Sequence, residues 1–152
     1  MAQQGAQPGG APLLSVKGIR KSFSLNAVLK GIDLSVGAGE VLATDLDATA
    51  VRVAEENARI NGFGGKIDCR CGDLLDVVDV CGDVVVANII ADVILMLAEP
   101  VRARIADGGV FICSGVALER REDVRRALLE ANYELLDEPV KGEWAAFAAR
   151  KR

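Results

Sequence analysis

Histidine is missing from this 152-residue chain. That excludes Ser-His-Asp triads, Cys-His pairs, histidine general bases and histidine-liganded zinc or iron. Chemistry is left to carboxylates, amides, hydroxyls, thiols, amines or a bound cofactor. Aromatic residues make up only 4%, too few for platforms that stack single-stranded bases. An excess of positive charge is also lacking: the formal net charge is −4, which speaks against a nucleic-acid partner held through phosphates. No uncharged apolar run reaches the ~18 residues of a membrane-spanning helix. Residues 1–12 are Gln, Gly, Ala and Pro for the most part, with neither a basic block nor an apolar one. They read as a floppy tail rather than a signal peptide, and the expected location is cytoplasmic.

What is present fits a globular chain. Hydrophobic residues make up 51%, and the length allows one domain with a real core but is tight for two. Charge is uneven: residues 1–40 hold four Lys/Arg against two Asp/Glu, and the remainder holds fourteen against twenty. This is a first sign of a seam near position 40. The four cysteines, Cys69, Cys71, Cys81 and Cys113, form no CxxC pair. They read as reduced thiols, most of them in the core, and no metal site is expected.

Residues 13–20 and 27–36 alternate apolar and polar side chains, as antiparallel strands with one wet face do. Gly37-Ala38-Gly39 makes a turn. From Glu40 onward, strand-like runs alternate with helical periodicity. Residues 40–44 form a short strand, and Asp47 caps a helix whose inner face holds Val51, Ala54 and Ala58 and which stops at Gly62. Residues 66–71 make another strand. The run DVVVA at 83–87 is continuously apolar, as a strand covered by helices on both faces would be. Residues 90–105 are helical with a kink or restart at Pro100. Residues 109–114 form a buried strand, and 118–132 an amphipathic helix with Val124, Leu128 and Leu129 inward. Two closing strands occupy 133–138 and 143–149. The series predicts a mostly parallel α/β sheet with helices on both faces.

Three polar side chains end three of these strands: Asp45 after VLAT, Asp73 after CRCG and Asn88 after DVVVA. Ligands of open α/β sheets bind outside the carboxyl ends of strands. A carboxylate there can accept both hydroxyls of a ribose, and a second carboxylate or amide can hold an adenine amino group or a substrate amine. The plainer alternative is that Asp45 and Asp73 cap or turn the chain. Other conspicuous residues have plain readings: Arg120, Arg121, Arg125 and Arg126 as a solvated helix face, and Trp144 as packing in the last strand pair.

Residues 41–152 resemble the carboxyl half of the ribosomal protein L11 methyltransferase family. The resemblance rests on VLATDLDATAVRVAEENARINGF, CGDLLDVV, DVVVANIIADVILMLAEPVRARIADGGVFICSG and GEWAAFAARK. ANIIA and GEW are fairly specific to that family, whereas DLD is generic to class I methyltransferases. The resemblance implies S-adenosylmethionine as cofactor and a ribosomal-protein amine as acceptor. It implies Asp45 as the ribose-binding acid, Asp73 at the adenine, and Asn88 beside both the cofactor's methyl group and the incoming amine. A site without histidine suits this chemistry, because in-line displacement from a sulfonium depends on holding methyl and amine in position.

The family's first strand, glycine-rich loop and following helix do not precede the strand that ends in Asp45, nor does its amino-terminal recognition domain. Instead LLSVKGIRKSFSLNAVLKGIDLSVGAGEVLA, residues 13–43, resembles the opening of a sugar-importer ABC-transporter ATPase. Phe23 would match the adenine-stacking aromatic of that family, yet no GxxxxGK[ST] motif follows. The expectation is therefore an α/β class I methyltransferase sheet lacking its first strand and helix, with an antiparallel β segment ahead of it. The expected divisions are 1–12, 13–40 and 41–152. The expected function is methylation impaired by loss of the cofactor loop. The alternatives are a non-catalytic chimeric fragment or a nucleotide-binding remnant.

Overall fold

A computed structural model describes residues 14–23, 26–36 and 41–152, the first two segments by backbone only. The tail at 1–12, the Gly37-Ala38-Gly39 turn and the Phe23 side chain lie outside what is described. The chain divides into two compact units, Met1–Gly72 and Asp73–Arg152.

In the first unit, β1 (Leu14–Phe23) and β2 (Asn26–Val36) pair antiparallel, with Leu14 opposite Val36 and Phe23 opposite Asn26. β3 (Val41–Asp45) runs parallel to β4 (Ile67–Cys71), and Asp45 stands opposite Cys71. Parallel neighbours need a long crossover, and α1 (Ala48–Ile60) supplies it. Asp47 is its N-cap, with the side chain accepting the Thr49 amide N–H at 2.8 Å. Val51 and Ala58 are buried. The helix ends where Gly62 adopts φ +79°, in the left-handed region that glycine enters without a Cβ penalty.

The second unit runs β5 (Gly82–Asn88), α2 (Ala91–Leu97), a 3-10 turn (Pro100–Arg104), β6 (Ile105–Ala117), α3 (Arg121–Glu130), β7 (Tyr133–Asp137), β8 (Val140–Lys141) and β9 (Trp144–Lys151). The sheet order is β5-β6-β9-β7, with β8 beside β9. β5 and β6 are parallel, whereas β9 runs antiparallel to both β6 and β7. Phe111, Cys113, Tyr133 and Phe147 from the sheet pack with Ile94, Val101, Val124 and Leu128. Each such large side chain, fully buried, contributes roughly 1.5–3 kcal/mol. The α/β architecture expected from the sequence is present, but it is not mostly parallel: among the described strands only β3–β4 and β5–β6 pair parallel, and the strands are divided between separate sheets.

Several local expectations are corrected. The helix expected over 90–105 stops at Leu97, and Pro100 opens a separate 3-10 turn, where its missing N–H is not needed. β5 is not buried on both faces: Val85 and Ala87 pack against the core, but Val84 and Val86 are 41% and 58% exposed. Both helices of this unit pack on the Phe111 and Cys113 side of the sheet, so the other side of β5 has no helix of the unit over it. Leu129 is exposed rather than inward, because Val124 and Leu128 already fill the narrow inner stripe of α3. Of the four thiols only Cys113 is buried. Trp144 begins β9 opposite Ala117 and Lys141, yet stays 43% exposed.

Candidate functional site

Asp45 is the last residue of β3, and its side chain is exposed. Its Oδ1 accepts the amide N–H of Asp47 at 2.8 Å. The Asp45 carbonyl accepts the Gly72 amide at 3.1 Å, which carries the parallel pairing one residue past the end of β4. The thiol of Cys71 donates to the Leu46 carbonyl at 3.6 Å. The carboxylate thus takes part in the turn, as the plain alternative holds. A carboxylate has about four lone-pair sites, however, and one amide leaves capacity for a diol.

Asp73 and Asn88 belong to the second unit. Asp73 is exposed, and its carbonyl accepts the Asp76 amide at 2.9 Å. The next residue, Leu74, has φ 44°, an unusual conformation for a leucine. Asn88 ends β5 in register with Ser114 of β6, and it too is exposed. The chain is held just past it, where the Ile89 amide donates to the Ser114 carbonyl at 3.1 Å. Ser114 is buried, the one such polar residue among those described.

Gly115 was not among the residues singled out by sequence. It sits at a register shift between Ser114 and Val116, with φ +85°. A Cβ built on it would stand 2.9 Å from the Ile89 carbonyl oxygen and 3.2 Å from Asn88 Oδ1. No sequence signal marked it: the expected strand ends at 114, and Gly115 stands one residue beyond it. Asn88, Ile89 and Gly115 are therefore brought together at the ends of β5 and β6.

The arginines of α3 are engaged with carboxylates. Arg120 bridges Asp92 and Asp123 at 2.8 and 2.9 Å. Arg121 and Arg125 both reach Glu138, at 3.3 and 3.2 Å. Arg126 pairs with Asp123 at 2.9 Å. The bond from Arg120 holds the Asp123 carboxyl below its ordinary range. Away from these surfaces, burial pushes the Cys113 thiol up to about 12. Burial likewise raises the Tyr133 hydroxyl to about 12, with Glu99 and Cys113 adding to the rise and Arg102 opposing it. No helix among the described residues is long and apolar enough to cross a membrane.

Comparison with known proteins gives a consistent picture. Residues 27–152 match the family model described as ribosomal protein L11 methyltransferase (PrmA). The match starts ahead of residue 41, so residues 27–40, expected from the sequence to be ATPase-like, fall within it. A ribosomal protein L11 methyltransferase of Alkaliphilus metalliredigens is 38% identical over 125 residues, 82% of this chain and 39% of that protein. One from an Exiguobacterium species is 42% identical over 126 residues, 83% of this chain and 40% of that protein. The chain thus spans about two fifths of these relatives. The crystal structure of a ribosomal protein L11 methylase from Lactobacillus delbrueckii subsp. bulgaricus superposes with a TM-score of 0.71 at 33% identity. That superposition covers 76% of this chain and 60% of the other.

Proposed function

The chain belongs to the ribosomal protein L11 methyltransferase family, and from that membership we propose that it carries part of an S-adenosylmethionine-dependent protein N-methyltransferase site. The observation that supports this best is the placement of Asp45 and Asn88. Each is an exposed hydrogen-bonding side chain at the carboxyl end of a parallel strand in its own sheet, and such strand ends are where open α/β sheets take ligands.

Carboxylates and an amide suit the cofactor's hydroxyls and amino group by their chemistry. By the family resemblance, Asp45 would accept the ribose hydroxyls, and Asp73 the adenine amino group. When bound, the cofactor supplies an electrophilic methyl group. Asn88 Oδ1 accepts an N–H of the incoming amine and so turns the amine lone pair toward the site, and water takes the proton that the amine releases. No general base is required of the protein, in keeping with a chain that has no histidine. Positioning of this kind can supply much of a barrier reduction.

The acceptor in this reading is a ribosomal protein in the cytoplasm, and cofactor affinity is weakened because the stretch of the family match ahead of β3, residues 27–40, is too short for a strand, a glycine-rich loop and a helix. Residues 13–43 contribute no nucleotide site to this reading, since no GxxxxGK[ST] motif follows them. The test is to incubate the protein with S-adenosylmethionine and purified ribosomal protein L11 and to look for methyl mass increments on the acceptor. Increments that disappear with Asn88→Ala support the reading. None from the wild-type chain at saturating cofactor overturns it.

A further inference from the structure

We infer that Gly115 is a positioning residue for the acceptor side of this site: its missing side chain keeps the Asn88 amide and the Ile89 carbonyl where an incoming amine meets them. The inference rests on the reading of Asn88 given above. Its own support is geometric. Two acceptor oxygens at the end of β5, Asn88 Oδ1 and the Ile89 carbonyl, converge on one point beside Gly115, at 3.2 and 2.9 Å from where a Cβ would lie. The second distance is shorter than real Cβ atoms tolerate, and the atom met is backbone, so the turn itself would have to move. That turn has little room to shift without loss, because the Ile89 amide is bonded to Ser114, the neighbour of Gly115. The backbone at 115 is also left-handed, at φ +85°, so glycine satisfies two demands at once.

Strain and crowding can be separated within this protein. Gly108 has nearly the same backbone, φ +75°, but a Cβ there meets nothing within 4 Å. Gly108→Ala therefore carries the strain of a left-handed alanine without the crowding, and Gly115→Ala carries both. A third variant places alanine of the D configuration at 115, by ligating a synthetic peptide that begins at Cys113. A positive φ suits the D residue, and its methyl group takes the position of the other hydrogen.

Two readouts are needed. In ¹H–¹⁵N spectra, the Asn88 side-chain amide should shift in Gly115→Ala and stay near its wild-type position in Gly108→Ala and in the D-alanine protein. In transfer assays with S-adenosylmethionine and ribosomal protein L11, Gly115→Ala should lower the saturated rate about tenfold or more. Its cofactor Kd should stay within about twofold of wild type, and the D-alanine protein should recover the rate. An Asn88 resonance that moves equally in the Gly108 and Gly115 variants, or in neither, overturns the inference, as does a D-alanine protein as impaired as the L form. If Gly115→Ala does not fold, the D-alanine protein decides: a wild-type Asn88 resonance and rate support the inference, and a resonance or rate far from wild type overturns it. A wild-type chain that transfers no methyl group sinks the functional reading, while the resonances still judge whether residue 115 positions Asn88.

Discussion

Asp45 Oδ1 takes the amide N–H of Asp47 at 2.8 Å, so the carboxylate that ends β3 is fixed by the residue that caps α1. Sequence and local structure meet in this short turn: D-L-D places one acid at a strand end and the next at a helix start. Asp47→Ala should lower stability by about 1 kcal/mol through loss of the cap. Asp45→Ala, at an exposed position, should cost less than about 0.5 kcal/mol. Urea denaturation of the two variants reads this directly, and an equal loss in both would contradict the assignment of Asp47 as the cap.

Alkaline pH should destabilise the fold through Cys113 and Tyr133. Burial raises the thiol from 9.0 and the phenol from 10.0, both to about 12. Below pH 9 the folded and unfolded chains hold both protons, and stability is unaffected. Above it the unfolded chain ionises first, so stability falls progressively until the folded groups titrate near pH 12. Melting temperatures measured from about pH 8 to about pH 10.5 should decline, and Cys113→Ala should flatten part of that decline. In native protein at neutral pH, a thiol reagent should modify the exposed Cys71 and Cys81 readily and leave Cys113 untouched.

Local chemistry made much of the fold legible. The Asp47 cap and Gly62 stop bounded α1 because each acts within one turn of chain, and the alternation of 27–36 showed an antiparallel strand. What failed depends on partners distant in sequence. DVVVA reads as buried on both faces because valine has high β propensity either way, and only the placement of α2 and α3 reveals that Val84 and Val86 face outward. Leu129 and the cysteines failed for the same reason: an apolar residue in a run does not declare which neighbour will cover it. At the site, Asp45 and Asn88 were visible as polar endings of apolar strands. Gly115 was not, because its importance lies in the approach of a turn 26 positions earlier, at Ile89.

The one-sided burial of the second sheet gives a paired prediction. Phe111→Ala removes a fully buried ring and should cost about 3–5 kcal/mol. Val86→Ser, at 58% exposure, should cost less than about 1 kcal/mol. Comparable losses in equilibrium unfolding would mean that Val86 is covered after all.

Arg102 should matter more than its surface position implies. Its guanidinium donates to the carbonyls of Asn132 and Arg152 at 3.0 and 2.9 Å and lies 5.2 Å from the Tyr133 ring centroid. One side chain thereby ties the 3-10 turn to the left-handed Asn132 and to Arg152. Arg102→Ala should lower stability by about 2 kcal/mol, from two charge-assisted bonds and a cation–π contact. Arg126→Ala, which loses an exposed pair with Asp123, should cost less than about 1 kcal/mol.

Calorimetric titration with S-adenosylmethionine tests the central claim most directly. The wild-type chain should bind at millimolar affinity or better, and Asp45→Ala should weaken binding at least about tenfold, equivalent to ~1.4 kcal/mol. Silence from the wild-type chain, or an affinity unchanged by Asp45→Ala, would contradict it.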